Sequence, residues 1–125
     1  MSRKSTMKSD EKTRLVMDAL EDKKAVDPVT IDVRGRTVMA DRFVFASGTS
    51  RIHINALVDA VIDKLADNGV KGKKVEGQAS DWVLVDYGDV VVHVMSPEQS
   101  EFYRLEAYWS GKEAGSPPPL SPDEV

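Results

Sequence analysis

The chain has 125 residues, so a single domain is expected, and 17 Lys and Arg against 21 Asp and Glu give it a formal charge of −4. That acidic balance argues against a dedicated nucleic-acid binder, which usually carries a basic stripe. The absence of cysteine excludes disulfides and thiol catalysis, and two histidines are too few for a histidine-rich metal site. The apolar runs are only a few residues long, so no membrane span is predicted. The N-terminus has no apolar signal region, and a cytoplasmic protein is therefore expected.

Both ends of the chain have compositions that do not build a core. Residues 111–125 hold four of the six prolines together with Gly and Ser, so a disordered tail is predicted there. Residues 1–8 are polar and charged and are predicted to be flexible. The folded domain is therefore expected over residues 9–110.

The first half of this domain predicts a helix and then two strands. A helix is expected from a cap at Ser9 or Asp10 to about Lys24, because its apolar residues recur at helical spacing. Residues 29–33 alternate and are rich in β-branched side chains, which is typical of a strand. Residues 43–46 form a continuous apolar run, which is typical of a strand buried on both faces.

A second helix is predicted directly after the loop that follows this buried strand. Its apolar positions are spaced as one helix face, namely Ile54, Leu57, Val58, Val61 and Leu65. Asn68–Gly69 supplies a left-handed stop, and residues 75–77 predict a short strand.

The last third of the domain contains the clearest local signal, a β-hairpin. Two runs of strand formers, residues 82–87 and 90–95, flank the turn Gly88–Asp89. A third helix is expected from Ser96, with Phe102, Leu105 and Trp109 along one side. The order of elements predicts an α/β domain with helices packed on a mixed β-sheet.

The loop between the buried strand and the second helix has two interpretations. Gly48, Thr49, Ser50 and Arg51 stand where free N–H groups and the helix dipole favour an anion. The alternative is structural: Gly48 makes the turn, and Thr49 or Ser50 caps the helix. The spaced glycines of a dinucleotide fingerprint and the pattern of a P-loop are both absent.

A small nucleotidyltransferase is the enzymatic alternative for this chain. Such chemistry needs paired carboxylates that hold metal ions beside the Gly48 loop. Asp86 and Asp89 are the candidates, but they flank the hairpin turn, and the sequence contains no Asp-x-Asp pair. Catalysis is therefore poorly supported, and neither a metal nor a cofactor is expected.

Three ring-bearing side chains carry both a structural and a functional interpretation. His53, early in the second helix, is expected to brace the loop or to be solvated rather than to act as a ligand. His93 interrupts a valine run, so it is either a satisfied core histidine or a contact to a partner. Trp82 follows Asp81 at the start of a strand, where core and interface positions are equally favoured.

The sequence resembles the ribosomal silencing factor (RsfS), or Iojap-like, family. The matching segments are residues 32–36, 43–53, 75–77 and 81–95, continuing through residues 98–109, and coverage is about residues 8–110. The most specific part is the Ser-Gly-Thr-Ser loop combined with the segment from Asp-Trp to His-Val-Met. This resemblance implies a nucleotidyltransferase-like α/β fold that lacks the catalytic activity.

The resemblance also implies a function that residue spacing does not show. Family members bind the large ribosomal subunit through its ribosomal protein fourteen at the intersubunit face, and they block joining of the small subunit when nutrients are scarce. Organellar relatives act in large-subunit assembly, which is kept as an alternative. A homodimer and minor contact between short basic patches and ribosomal RNA are further expectations. The residues expected at the protein-binding face are Asp81, Trp82, Tyr87, Asp89, His93 and Met95.

Overall fold

A computed structural model of the chain describes residues 8–35, 40–78 and 81–98. In chain order the elements are α1 (Ser9–Asp22), β1 (Val26–Asp32), β2 (Arg42–Ser47), α2 (Arg51–Asp67), β3 (Lys74–Glu76), β4 (Trp82–Asp86) and β5 (Val90–Met95). This order is the one that the sequence predicts. Most of the expected third helix, the predicted disordered tail at residues 111–125 and all but Lys8 of the predicted flexible N-terminus lie outside the described residues.

The strands form one five-stranded sheet in the order β1-β2-β5-β4-β3. Strands β2 and β5 are parallel, and the other neighbouring pairs are antiparallel, so the predicted mixed sheet is confirmed. A parallel pair needs a long connection, and α2 lies within the segment that joins β2 to β5. Among the described residues, neither helix is long and apolar enough to cross a bilayer.

Alternation along the strands divides the core into two clusters, one on each face of the sheet. The first cluster joins the helices to the sheet and includes Val16, Leu20, Leu57, Val61, Val44, Val85 and Val92. The second consists of Ile31, Val33, Ala40, Phe43, Phe45, Trp82, Leu84, Val91 and Met95. Strands β2, β4 and β5 contribute to both clusters, which explains why their sequences are almost continuously apolar.

The two ends of α1 differ from the sequence-based prediction. Lys8, and not Ser9 or Asp10, occupies the cap position, and no side chain caps the helix there. At the other end, Lys24 adopts a left-handed φ of 62°. The N–H of Ala25 donates to the carbonyl of Leu20 at 2.9 Å, which closes the Schellman type of helix end. This closure ends α1 at Asp22 and lets the next strand start at Val26, three residues earlier than predicted.

We expect Lys24→Gly to stabilise the domain by about 0.5 kcal/mol, because glycine adopts a left-handed φ without steric cost. Lys23→Gly is the matched control, since Lys23 has a φ of −100°. Its substitution should destabilise by about 0.5–1 kcal/mol through the entropy of the unfolded chain. Urea denaturation of both variants measures the difference, and a destabilised Lys24→Gly would contradict the prediction.

Candidate functional site

The turn between β2 and α2 is built around Gly48. Its N–H donates to the carbonyl of Met95 at 3.1 Å, which ties the turn to the end of β5. A Cβ at this position would lie 2.8 Å from Cγ1 and 2.9 Å from the backbone nitrogen of Ile54, so only glycine fits. Ser50 is the cap of α2, because its Oγ accepts from the N–H of His53 at 3.1 Å. The capping interpretation of this loop is therefore confirmed at Ser50.

His53 braces the turn, as one of its two interpretations predicts. Its Nδ1 accepts from the N–H of Thr49 at 2.9 Å, so Nε2 carries the proton and donates to the carbonyl of Lys23 at 2.8 Å. The ring thereby connects the start of α2 to the end of α1. The N–H groups of Gly48 and Thr49 are engaged within the protein, which removes two of the donors that the anion interpretation needs.

Arg51 and Asp81 bring together two segments that lie 30 residues apart. Arg51 Nε donates to Asp81 Oδ1 at 3.0 Å, and the two side chains are 65% and 44% exposed. An ion pair this exposed contributes little to stability. We call Thr49, Ser50, Arg51 and Asp81 the α2-start surface. It presents both charges to solvent at the end of the sheet where β4 begins and β5 ends.

The hairpin residues expected to bind a partner are mostly buried. Trp82 is 3% exposed and His93 is 1% exposed, and Met95 lies with Trp82 in the second core cluster. Trp82 Nε1 donates to His93 Nδ1 at 3.2 Å. Tyr87 is buried in the first cluster, on the helix-covered face. Of the two interpretations of Trp82, the structure supports the core position, and a binding role for these residues stays a prediction.

Burial sets the charge state of His93. It lowers the pKa of His93 to about 3, so the side chain is neutral at pH 7. The ring stacks on Phe45 with centroids 4.8 Å apart. Because Nδ1 accepts from Trp82, Nε2 carries the proton, and this N–H has no hydrogen-bond partner among the described residues. Burial also raises the pKa of Tyr87 to about 12.

Asp89 and Asp86 hold the hairpin turn. Lys12 Nζ donates to Asp89 Oδ1 at 2.9 Å, and the Asp89 carbonyl accepts from the N–H groups of Asp41 and Arg42. Asp86 Oδ1 accepts from the N–H of Gly88 at 2.7 Å. Both carboxylates are therefore engaged in keeping the turn in place.

A nucleotidyltransferase would need its carboxylates beside the Gly48 loop, but Asp86 and Asp89 lie at the opposite end of the sheet from that loop. Asp86 pairs with Val91 across the hairpin, whereas Ser47, which precedes Gly48, pairs with Met95. Four residues of extended strand separate these positions by about 13 Å. The described residues contain no group of three or more histidine or carboxylate side chains that could hold a metal ion.

An ion-pair network at the hairpin end was not predicted. Arg42 binds Asp10 of α1 at 2.6 Å and Asp32 of β1 at 3.5 Å, and Arg34 binds Asp32 at 2.7 Å. The hydrogen bond from the Arg34 side chain is the main reason why the pKa of Asp32 lies well below its usual range. The spacing Asp32-x-Arg34 is a local signal for one of these pairs. The contacts of Arg42 have no such signal, since Asp10 is 32 residues away.

Comparison with known proteins relates nearly the whole chain to one family. Residues 6–124 match the family model described as "Ribosomal silencing factor during starvation". The chain is 41% identical over 107 residues to the ribosomal silencing factor RsfS of Chromobacterium violaceum, covering 85% of this chain and 88% of that protein.

Two further similarities extend this result. A crystal structure of a Chromobacterium violaceum protein matches with a TM-score of 0.80 and 40% identity, covering 87% of this chain and 92% of that one. The mouse protein named "Mitochondrial assembly of ribosomal large subunit protein 1" is 34% identical over 100 residues. That match covers 77% of this chain and 44% of the mouse protein.

The buried neutral His93 predicts a specific dependence of stability on pH. The folded pKa, about 3, lies below the ordinary value of 6.5, so between them the unfolded state binds more protons. The contribution of His93 to the free energy of unfolding should thus be complete above pH 6.5 and fall by up to about 1.4 kcal/mol per pH unit below it. Urea denaturation between roughly pH 7 and pH 4.5 measures this slope.

Two variants isolate the effect from the titration of carboxylates. His93→Gln keeps an acceptor for Trp82 but removes the titrating ring, so its slope should be shallower than that of the parent. Ala56→Gln, at an exposed position without a titrating group, is the control and should keep the parent slope. Equal slopes for the parent and His93→Gln would contradict the assignment.

Proposed function

The chain belongs to the ribosomal silencing factor family, and we propose that it binds the large ribosomal subunit and blocks association with the small one. The family match over residues 6–124 carries this proposal. The partner on the subunit is ribosomal protein fourteen at the intersubunit face, as the sequence resemblance implies. Occupation of that face represses translation in the cytoplasm under nutrient limitation, because the bulk of the domain occupies space that the small subunit needs.

The contact to the ribosome is assigned to the α2-start surface. Of the six hairpin residues expected to bind a partner, Asp81 combines exposure with a position outside the hairpin turn. Trp82, which follows Asp81, is buried and pairs with Met95, and the carbonyl of Asp81 accepts from the N–H of Ser96 at 2.8 Å, which together hold Asp81 in place. A net charge of −4 suits a basic ribosomal protein, since complementary charge speeds encounter and selects the partner.

A role in large-subunit assembly is the second candidate, supported by the name of the mouse relative. Both roles need binding to the large subunit, but only silencing requires the mature subunits to be kept apart. We also propose a second copy of this chain as a partner, on the resemblance, and a minor contact to ribosomal RNA, on the short basic patches of the sequence.

Sedimentation of isolated ribosomal subunits tests the proposed function. Added protein should co-migrate with the large subunit and should reduce the fraction of joined ribosomes in a sucrose gradient. Co-migration without any effect on joining would favour the assembly role. Absence from the large-subunit fraction would contradict both roles, and saturable binding of ATP and magnesium in calorimetry would favour the enzyme.

We expect Asp81→Arg to weaken binding to the large subunit by about tenfold, or ~1.4 kcal/mol, because it reverses the charge offered to a basic partner. Asp59→Arg is the matched control, since Asp59 is exposed on α2 and its substitution changes the net charge equally. Co-sedimentation titrations give both affinities. Equal losses would show that net charge alone matters and that Asp81 makes no specific contact.

A further inference from the structure

Ile52 is the most exposed large hydrophobic side chain among the described residues. It is 83% exposed, whereas Val26 and Val29 are 36% and 37% exposed. It lies in the first turn of α2, next to Arg51 of the α2-start surface. Single exposed apolar residues are common on protein surfaces, so the exposure of Ile52 indicates a binding role only if no structural role explains the residue.

The fold makes no use of Ile52. The buried positions of α2 start two residues later, at Ile54, so Ile52 contributes no packing to either core cluster. The cap is Ser50, and the first turn of a helix favours acidic side chains, which the first turn of α2 lacks. A β-branched residue also has slightly lower helix propensity than most alternatives. Neither packing, capping nor propensity accounts for isoleucine here.

The contacts around the start of α2 hold the backbone on both sides of Ile52. Gly48 admits no side chain because Ile54 fills the space beside it, and Ser50 caps the helix through the N–H of His53. The His53 ring is anchored in turn to the carbonyl of Lys23. A partner that takes up Ile52 therefore orders no loop when it binds, which preserves affinity.

The charges beside Ile52 indicate the kind of partner. Arg51 and Asp81 bind each other through Nε and Oδ1. Within the described residues, the two terminal guanidinium nitrogens of Arg51 and Oδ2 of Asp81 make no hydrogen bond. A phosphate backbone would be attracted by Arg51 but repelled by Asp81, whereas a protein surface can offer a complementary group to each.

We propose that Ile52 is the apolar anchor of the α2-start surface and enters an apolar pocket of a ribosomal protein, with a basic group of that protein facing Asp81. This inference rests on the proposed function, since it names the residue through which the large subunit is bound. An apolar centre with a charged rim is the usual anatomy of a protein interface.

Binding of the full-length protein to purified large subunits tests this proposal. Ile52→Gln removes the apolar side chain without changing the charge and should lower the affinity about tenfold, as expected from the loss of one buried aliphatic side chain. Ile52→Leu should recover most of that loss. Ala56→Gln is the control, because Ala56 is exposed one turn further along α2. Thermal denaturation checks that each variant is folded, as expected for positions outside the core.

The outcomes separate this inference from the proposed function. If the parent protein fails to bind large subunits, the proposed function is wrong and the anchor with it. If the parent binds and Ile52→Gln binds equally well, the function stands and the anchor is wrong. An equal loss in Ile52→Gln and Ala56→Gln would also contradict the anchor, because the effect would not belong to Ile52.

Discussion

Strand β5 pairs with β2 on one side and with β4 on the other, so it has no free edge, and both of its faces lie in the core. All of its residues, Val90–Met95, are buried. A strand in this position tolerates a polar side chain only if that side chain is neutral and hydrogen-bonded. His93 meets this condition at Nδ1, where it accepts from Trp82, and its lowered pKa keeps it uncharged. Strands β2 and β4 pair directly with β5, and β1 and β3 extend the sheet by pairing with those two.

The burial of β5 changes the meaning of the most specific segment of the sequence. Residues 81–95 look like a recognition signature because they combine Trp, Tyr, His and acidic residues. In the structure most of these side chains form the two core clusters or hold the hairpin turn. A segment can therefore be highly specific to a family and still act mainly by positioning its neighbours. Asp81, which precedes the buried part, and the adjoining start of α2 are where this architecture meets solvent.

The two ends of the sheet have different roles. At the hairpin end, Lys12, Arg42 and Asp89 connect α1 to the turn through partly buried ion pairs and backbone hydrogen bonds. At the opposite end, the ion pair between Arg51 and Asp81 is exposed and contributes little to stability. Charges engaged in the fold are poor candidates for recognition, whereas exposed ones beside an apolar side chain suit it. This contrast is why the proposed contact to the ribosome lies at the α2-start surface.

The sequence by itself determined the elements, because periodicity, turn residues and the Ser50 cap act within a few residues of one another. The buried face of α2, the hairpin around Gly88–Asp89 and the doubly buried β2 could all be predicted in this way. Only the tertiary structure decided that Trp82 is buried and that Arg51 meets Asp81. Those outcomes depend on strand order and on which face of the sheet the helices cover, and contacts between residues 30 positions apart leave no local pattern. Ile52 lies on the side of α2 opposite that buried face, so its exposure follows from the same periodicity, but only the tertiary structure shows that it stands beside the ion pair of Arg51 and Asp81.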